Sequence, residues 1–126
     1  MKIPTIYSGP DGESHFGEVE VSIDGLGKDV PEGGKGPIKV TELHFRNIES
    51  TGRLGEVSTY HTAPRRQLLF FLHGEVDFAV SSGEKLRRKA GDLMLAEDLT
   101  GKGHYSIRLS PDLKWVTAWL DPDQEF

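Results

Sequence analysis

The chain has 126 residues, enough for one domain with a single core, and its net charge is −5 at pH 7. This acidic balance argues against binding to nucleic-acid phosphates, which usually requires a basic surface. The sequence contains no apolar run long enough to span a membrane, and its first residues do not form a secretion signal. Because there are 0 cysteines, disulfides and thiolate chemistry are excluded. We therefore predict a cytoplasmic protein that binds neither nucleic acid nor membranes.

Short runs of strand-forming residues, punctuated by 15 glycines and 7 prolines, indicate an all-β domain. The best helix candidate, residues 82–90, is too short and lacks an apolar stripe. About eight strands at hairpin spacing predict an antiparallel β-barrel or jelly roll of two sheets. In chain order, the predicted strands are residues 19–23, 39–46, 56–61, 67–73, 76–80, 92–96, 105–109 and 114–120.

We predict a single domain whose core barrel spans about residues 38–121, preceded by an N-terminal segment at 1–37. Within that segment, the glycine- and proline-rich residues 24–37 form either a surface loop or a lid near the barrel mouth. Residues 68–72 are apolar at every position. Either both faces of this strand are covered within the domain, or one face packs on a second copy in a homodimer.

Polar residues recur at regular spacing in the run from Gly55 to Gly74, which contains His61 and Gln67. Their spacing resembles the first cupin motif, which runs Gly, five residues, His, one residue, His, three or four residues, Glu, six residues, Gly. Two positions depart from it: Ala63 occupies the place of the second His, and Gln67 occupies that of the Glu. The spacing nevertheless agrees with the strand pattern and so favours the cupin fold.

The second cupin motif is matched less closely. Gly91 matches its first position, Glu97 replaces its proline, His104 arrives two residues late, and no Asn follows. The resemblance spans about residues 40–120. The chain is similar to a subgroup of small single-domain cupins that is largely without an assigned reaction. Since cupins include oxygenases, isomerases, lyases and binding proteins, the resemblance indicates a fold and leaves the activity open.

The resemblance also implies a site. Metal cupins typically use three His and one Glu, and transferring those positions to this chain leaves His61, Gln67 and His104. This set predicts a weakly held divalent metal (iron, manganese, zinc or nickel), because an amide supplies no negative charge. Without metal, His61 and His104 would act as catalytic general acid and base.

Several further side chains are candidates for ligand binding, each with a simpler structural interpretation. Arg65 would pair with an anionic ligand or with surface carboxylates. Glu97 and Asp98 would orient His104 or bind the ligand, whereas the simpler interpretation for Asp98 is loop capping. His44 faces either the cavity or the sheet edge. The predicted ligand-binding residues are His44, Tyr60, Arg65, Glu97, Asp98, Tyr105 and Trp119.

Two functional hypotheses follow from these residues. The first is an enzyme, such as an oxygenase, isomerase or lyase, acting on a small organic molecule, anionic if Arg65 pairs with it. The second is a non-catalytic cupin that binds or senses a small molecule, with Ala63 and Gln67 marking a degenerate metal site.

Overall fold

The computed structural model describes residues 1–22, 37–47 and 59–126. No helix in these ranges is long and apolar enough to cross a membrane. The described residues form nine strands, namely β1 (Lys2–Ser8), β2 (Ser14–Glu20), β3 (Val40–Asn47), β4 (Gln67–His73), β5 (Glu75–Val80), β6 (Lys85–Lys89), β7 (Leu93–Ala96), β8 (His104–Arg108) and β9 (Lys114–Leu120).

The strands form two sheets, a six-stranded sheet in the order β2-β1-β7-β4-β9-β3 and a three-stranded sheet in the order β6-β5-β8. The predicted all-β jelly roll of two sheets is confirmed. One pairing differs from the expected antiparallel arrangement, because β1 runs parallel to β7. No hairpin joins these two strands, so their directions are not constrained to be opposite.

The predicted strand bounds hold best in the middle and at the end of the chain, where β4 and β9 match residues 67–73 and 114–120. β1 was not predicted, because it contains Pro4 and shows no clear alternation of apolar and polar residues. β2 covers Ser14–Glu20 rather than the predicted 19–23. Both strands lie N-terminal to the region predicted as the barrel core and extend the large sheet by two strands.

The best helix candidate, residues 82–90, contains strand β6, which pairs with β5 after a tight turn. Residues 24–37, predicted as either a surface loop or a lid, lie outside the described residues except for Pro37. Of the predicted strand at 56–61, only residues 59–61 are described, and His61 there forms an isolated bridge with His104.

Two apolar clusters explain why residues 68–72 are apolar on both faces of β4. Leu69 and Phe71 point between the sheets, into a cluster that includes Ile6, Val76 and Met94. Leu68 points to the opposite face of the large sheet, into a second cluster that includes Ile3, Val21, Leu95, Ala118 and Leu120. Each fully buried side chain of this size contributes about 1.5–3 kcal/mol of transfer free energy.

Part of the outer face of the large sheet remains exposed. Leu43 and Phe45 on β3, and Leu72 on β4, are solvent-exposed. β4 is therefore covered within the domain along one half of its outer face, and the homodimer stays a prediction.

Candidate functional site

A cavity of about 340 Å³ lies between the two sheets. Its size falls at the lower end of the range of roughly 300–1,000 Å³ that is typical of small-molecule pockets. Its walls combine aromatic surface with a few polar groups. The lining residues among those described are Arg46, His61, Pro64, Gln67, Leu69, Phe78, His104, Ser106, Trp115, Thr117 and Trp119.

Strand alternation determines which side chains reach this cavity. Gln67 on β4 pairs with Trp119 on β9, and Leu69 pairs with Thr117 two residues further along. Because side chains alternate between faces, every second residue of each strand points inward. On the small sheet, the pairing of β5 with β8 places polar side chains of β8 opposite the apolar side chains of β5.

His61 and His104 lie next to each other at this cavity. Each backbone N–H donates to the other residue's carbonyl oxygen at 2.9 Å. Their ring centroids are 4.6 Å apart, with planes inclined by 58°. Gly103 permits this approach, because a Cβ there would lie 2.1 Å from the carbonyl oxygen of His61 and its φ is +75°. Only glycine avoids both the clash and the backbone strain.

Asp98 contacts His104 from behind the cavity wall. Its Oδ2 lies 2.6 Å from Nδ1 of His104, and the Asp98 residue is 0% exposed. An ionised carboxylate only accepts hydrogen bonds, so Nδ1 of His104 carries the proton and donates it. The remaining nitrogen, Nε2, is then the basic atom of the ring. The second Asp98 oxygen, Oδ1, is buried without a hydrogen-bond partner among the described residues.

The ring of His61 is held in the same tautomer by a different partner. Its Nδ1 lies 3.0 Å from the backbone carbonyl oxygen of Thr59. Since a carbonyl oxygen only accepts, Nδ1 donates and Nε2 keeps its lone pair. Thus, both imidazoles have an anchored Nδ1 and an Nε2 that is available to a ligand, which is the arrangement usual for metal-binding and catalytic histidines.

Gln67, the third predicted metal ligand, lines the same cavity as both histidines. No group of three or more His, Cys, Asp or Glu side chains is placed to hold a metal ion in the part of the chain that the structure describes. Any metal here would therefore take two imidazoles and the neutral amide oxygen. The anchored rings fit such a role, whereas the missing carboxylate makes the donor set a weak one.

Trp119 connects the cavity to two of the predicted ligand-binding residues. The guanidinium carbon of Arg65 lies 4.9 Å from the centre of the Trp119 ring. His44 packs on the same indole at 4.6 Å and lies 3.0 Å from the Glu42 carboxylate. Arg65 and His44 thus lie against a residue of the cavity wall without belonging to the lining themselves.

The structure places the other predicted ligand-binding residues away from the cavity lining. Glu97 forms an ion pair with Arg66 at 2.7 Å, and Arg66 also donates to the backbone carbonyl of Gln124 near the C-terminus. The rings of Tyr60 and Tyr105 pack edge to face at 4.8 Å. Tyr105 alternates with the cavity residues of β8, so it points to the other face of the small sheet.

Seven of the described lining residues were not among the predicted site residues, namely Arg46, Pro64, Leu69, Phe78, Ser106, Trp115 and Thr117. Arg46 shares a face of β3 with His44, as strand alternation alone predicts for residues two positions apart. What the sequence does not supply is the direction of that face, which depends on the pairing of β3 with the distant strand β9.

Comparison with known proteins gives only remote likenesses. No protein-family model and no curated protein matches the chain. Among solved structures, an uncharacterised protein with a double-stranded β-helix domain from Klebsiella pneumoniae matches at 15% identity, covering 82% of this chain and 86% of that one (TM-score 0.47). A cupin from Bacteroides fragilis matches at 12% identity, covering 86% and 90% (TM-score 0.45). KdgF from Halomonas sp. matches at 19% identity, covering 85% and 96% (TM-score 0.44). The first two of these neighbours are of the kind that the sequence predicts.

Proposed function

We propose that the chain is an enzyme that binds a small organic molecule between its sheets and moves a proton on it, with His61 and His104 as acid and base. The observation that carries this proposal is the buried hydrogen bond between Asp98 and His104. A carboxylate removed from solvent is costly unless its charge is used or compensated. Here its partner is an imidazole of the cavity wall.

The proposed step begins with neutral His104. Its Nε2 accepts a proton from an acidic C–H of the ligand, and Asp98 stabilises the resulting imidazolium through Nδ1. His61, once its Nε2 has taken a proton from solvent, donates that proton to a neighbouring ligand atom. One proton leaves the ligand and one enters it, so the product is an isomer. If a leaving group departs after the first transfer, the same pair performs an elimination.

The other wall residues would orient the ligand and limit its contact with water. Phe78, Trp115 and Trp119 supply apolar surface around the histidine pair. Exclusion of water strengthens the interaction between charged groups in the site. The amide of Gln67 and the buried hydroxyl of Thr117 supply polar contacts on the opposite sheet.

A divalent metal is compatible with the same residues. His61, Gln67 and His104 would hold it, and it would supply Lewis-acid polarisation of a ligand oxygen. Asp98 would then keep its role, because it fixes the ring of His104 whether Nε2 meets a proton or a metal.

Exchange of carbon-bound hydrogen for deuterium tests the proposal directly. The protein is incubated in D2O with pyruvate, 2-oxobutanoate or phenylpyruvate, and loss of the C–H signal is followed by proton NMR. We expect catalysed exchange with at least one of these acids. His104→Ala and His61→Ala should each slow it by about a hundredfold or more, since positioned acid–base groups contribute on that order.

His73→Ala is the matched control, because His73 is exposed at the end of β4 and pairs only with Asp112 among the described residues. The proposal fails if His73→Ala slows exchange as much as His104→Ala does. A repeat of the measurement after treatment with EDTA separates the two versions of the mechanism. Loss of exchange that added metal restores supports the metal-assisted version, and unchanged exchange supports the metal-free one.

A second candidate function is binding without catalysis, and Ala63 is the observation that favours it. This residue is 3% exposed and occupies the place of an additional histidine in the cupin motif. The cavity would then bind its ligand through the same walls. A ligand would raise the melting temperature, while no exchange or product formation would occur.

A further inference from the structure

The charge of the cavity is opposite to that of the whole chain. The chain carries a net charge of −5. Among the described residues that line the cavity, however, there is no Asp or Glu, and Arg46 supplies a positive charge. The carboxylate of Asp98 lies behind His104 and is bonded to it, and that of Glu42 is bonded to His44 outside the lining. An acidic protein with a basic cavity is typical of a site that selects anions.

Arg46 and Arg65 differ from the other arginines whose partners the structure gives. Arg66, Arg87 and Arg88 pair with Glu97, Asp77 and Asp92, respectively. Neither Arg46 nor Arg65 forms an ion pair with any carboxylate in residues 1–22, 37–47 and 59–126. Of the two, Arg46 lines the cavity, and no carboxylate of these residues offsets its charge.

Arg46 is positioned by strand register. It pairs with Trp115 across β3 and β9, and side chains of paired residues lie on the same face of a sheet. Arg46 and Trp115 are both part of the cavity lining. The guanidinium thus shares the inner face of the large sheet with an indole.

The aromatic wall carries a second donor. Nε1 of Trp119 is buried and has no hydrogen-bond acceptor among the described residues. An unpaired buried donor costs free energy unless a ligand or water satisfies it. The guanidinium of Arg65 lies over the ring of the same Trp119, so a positive charge also lies close to this wall of the cavity.

We propose that the ligand is a small planar organic acid. Its carboxylate binds the Arg46 fork, and its ring packs against Trp115 and Trp119. Guanidinium forks match carboxylates in geometry, and aromatic faces favour flat apolar bodies. This inference rests on the proposed function, because it assigns the ligand of the same cavity.

Intrinsic fluorescence reports binding in this cavity. The chain has 2 tryptophans, and both line the cavity. Phenylacetate and phenylacetamide, which have nearly the same shape but differ in charge, are titrated into the full-length protein. We expect saturable quenching by phenylacetate and at least tenfold weaker binding of the amide. Arg46→Met should weaken phenylacetate binding by about tenfold to a hundredfold, the range expected from losing a charge-assisted hydrogen bond.

Arg87→Met is the matched control, because it removes the same charge from an exposed arginine on β6 that pairs with Asp77. It should leave both affinities unchanged. In Arg46→Met, affinity for the amide should stay the same, and an unchanged melting temperature shows that the variant is folded.

Three results would overturn the inference: no saturable quenching by phenylacetate, equal binding of acid and amide, or equal effects of the two arginine variants. Failure of the proposed function has a different signature. In that case phenylacetate binds and depends on Arg46, while no deuterium exchange occurs with any of the 2-oxo acids.

Discussion

Glu97 and Asp98 are neighbours in the sequence, yet their carboxylates pair with partners on opposite sides of the molecule. Glu97 pairs with Arg66, and the two side chains are 24% and 21% exposed. Asp98 pairs with His104, and these side chains are 0% and 7% exposed. One pair ties the end of β7 to the C-terminal segment, and the other supports an imidazole of the cavity. The role of each carboxylate therefore depends on the side of the sheet on which its partner lies.

Arg66 makes the structural character of the first pair clear. Besides Glu97, it donates to the backbone carbonyls of Pro122 and Gln124, and its guanidinium lies over the ring of Phe126 at 5.8 Å. All of these contacts hold the C-terminal segment against the large sheet. His104, by contrast, has its second nitrogen left for a ligand.

The largest expected effect separates the two carboxylates by stability. Asp98→Ala should lower the free energy of unfolding by about 3 kcal/mol, because it leaves a buried donor of His104 without its partner. Glu97→Ala should lower it by about 1 kcal/mol, since that pair is partly exposed to solvent. Urea denaturation measures both values. An equal or larger loss in Glu97→Ala would contradict the assignment of Asp98 as the buried support.

A smaller and more specific effect concerns the tautomer of His104. In Asp98→Asn, the side-chain amide can donate to Nδ1 as well as accept from it, so the fixed preference for a proton on Nδ1 is lost. Nitrogen-15 NMR of the imidazole should show Nε2–H populated in this variant. Glu97→Gln is the control and should leave the His104 signals unchanged. Identical spectra for Asp98→Asn and the parent protein would mean that Asp98 does not set the tautomer.

Part of this site could be predicted from the sequence, and the rest could not. The resemblance to the cupin motifs implied that His61, Gln67 and His104 would meet, and all three line one cavity. The runs of strand-forming residues in β4 and β9 also predicted those strands within their observed bounds. The strand runs are local features of single segments, whereas the meeting of His104 with the other two residues was implied only by the resemblance.

What the sequence left open depends on pairing between distant segments. Glu97 and Asp98 looked equivalent at seven and six residues before His104, and only the path of the chain after β7 separates them. Arg46 faces inward because β3 pairs with β9 in one register, and a shift of one residue would reverse its direction. Such choices follow from packing of the whole sheet rather than from any local pattern.

The smallest expected effect concerns a third ion pair on the same segment, that of Lys102 with Glu13. The hydrogen bond from Lys102 lowers the pKa of Glu13 below the ordinary value of 4.5. The same bond with Glu13 raises the pKa of Lys102 above its ordinary value of 10.5. The stabilisation from Glu13 is present above pH 4.5 and is lost as the pH falls through the lowered pKa. That from Lys102 is present below pH 10.5 and is lost as the pH rises through the raised pKa.

Lys102→Met tests whether this pair behaves as a surface contact. We expect a small decrease in melting temperature at neutral pH. The decrease should disappear in acid, because protonated Glu13 carries no charge to pair with the ammonium of Lys102. Lys85→Met removes the same charge from an exposed lysine at the start of β6, and it should show no such dependence on pH. A decrease in Lys102→Met that persists unchanged in acid would mean that the lysine acts through packing. Charge would then not explain why the exposed pair contributes less to stability than the half-buried and buried pairs along residues 97–104.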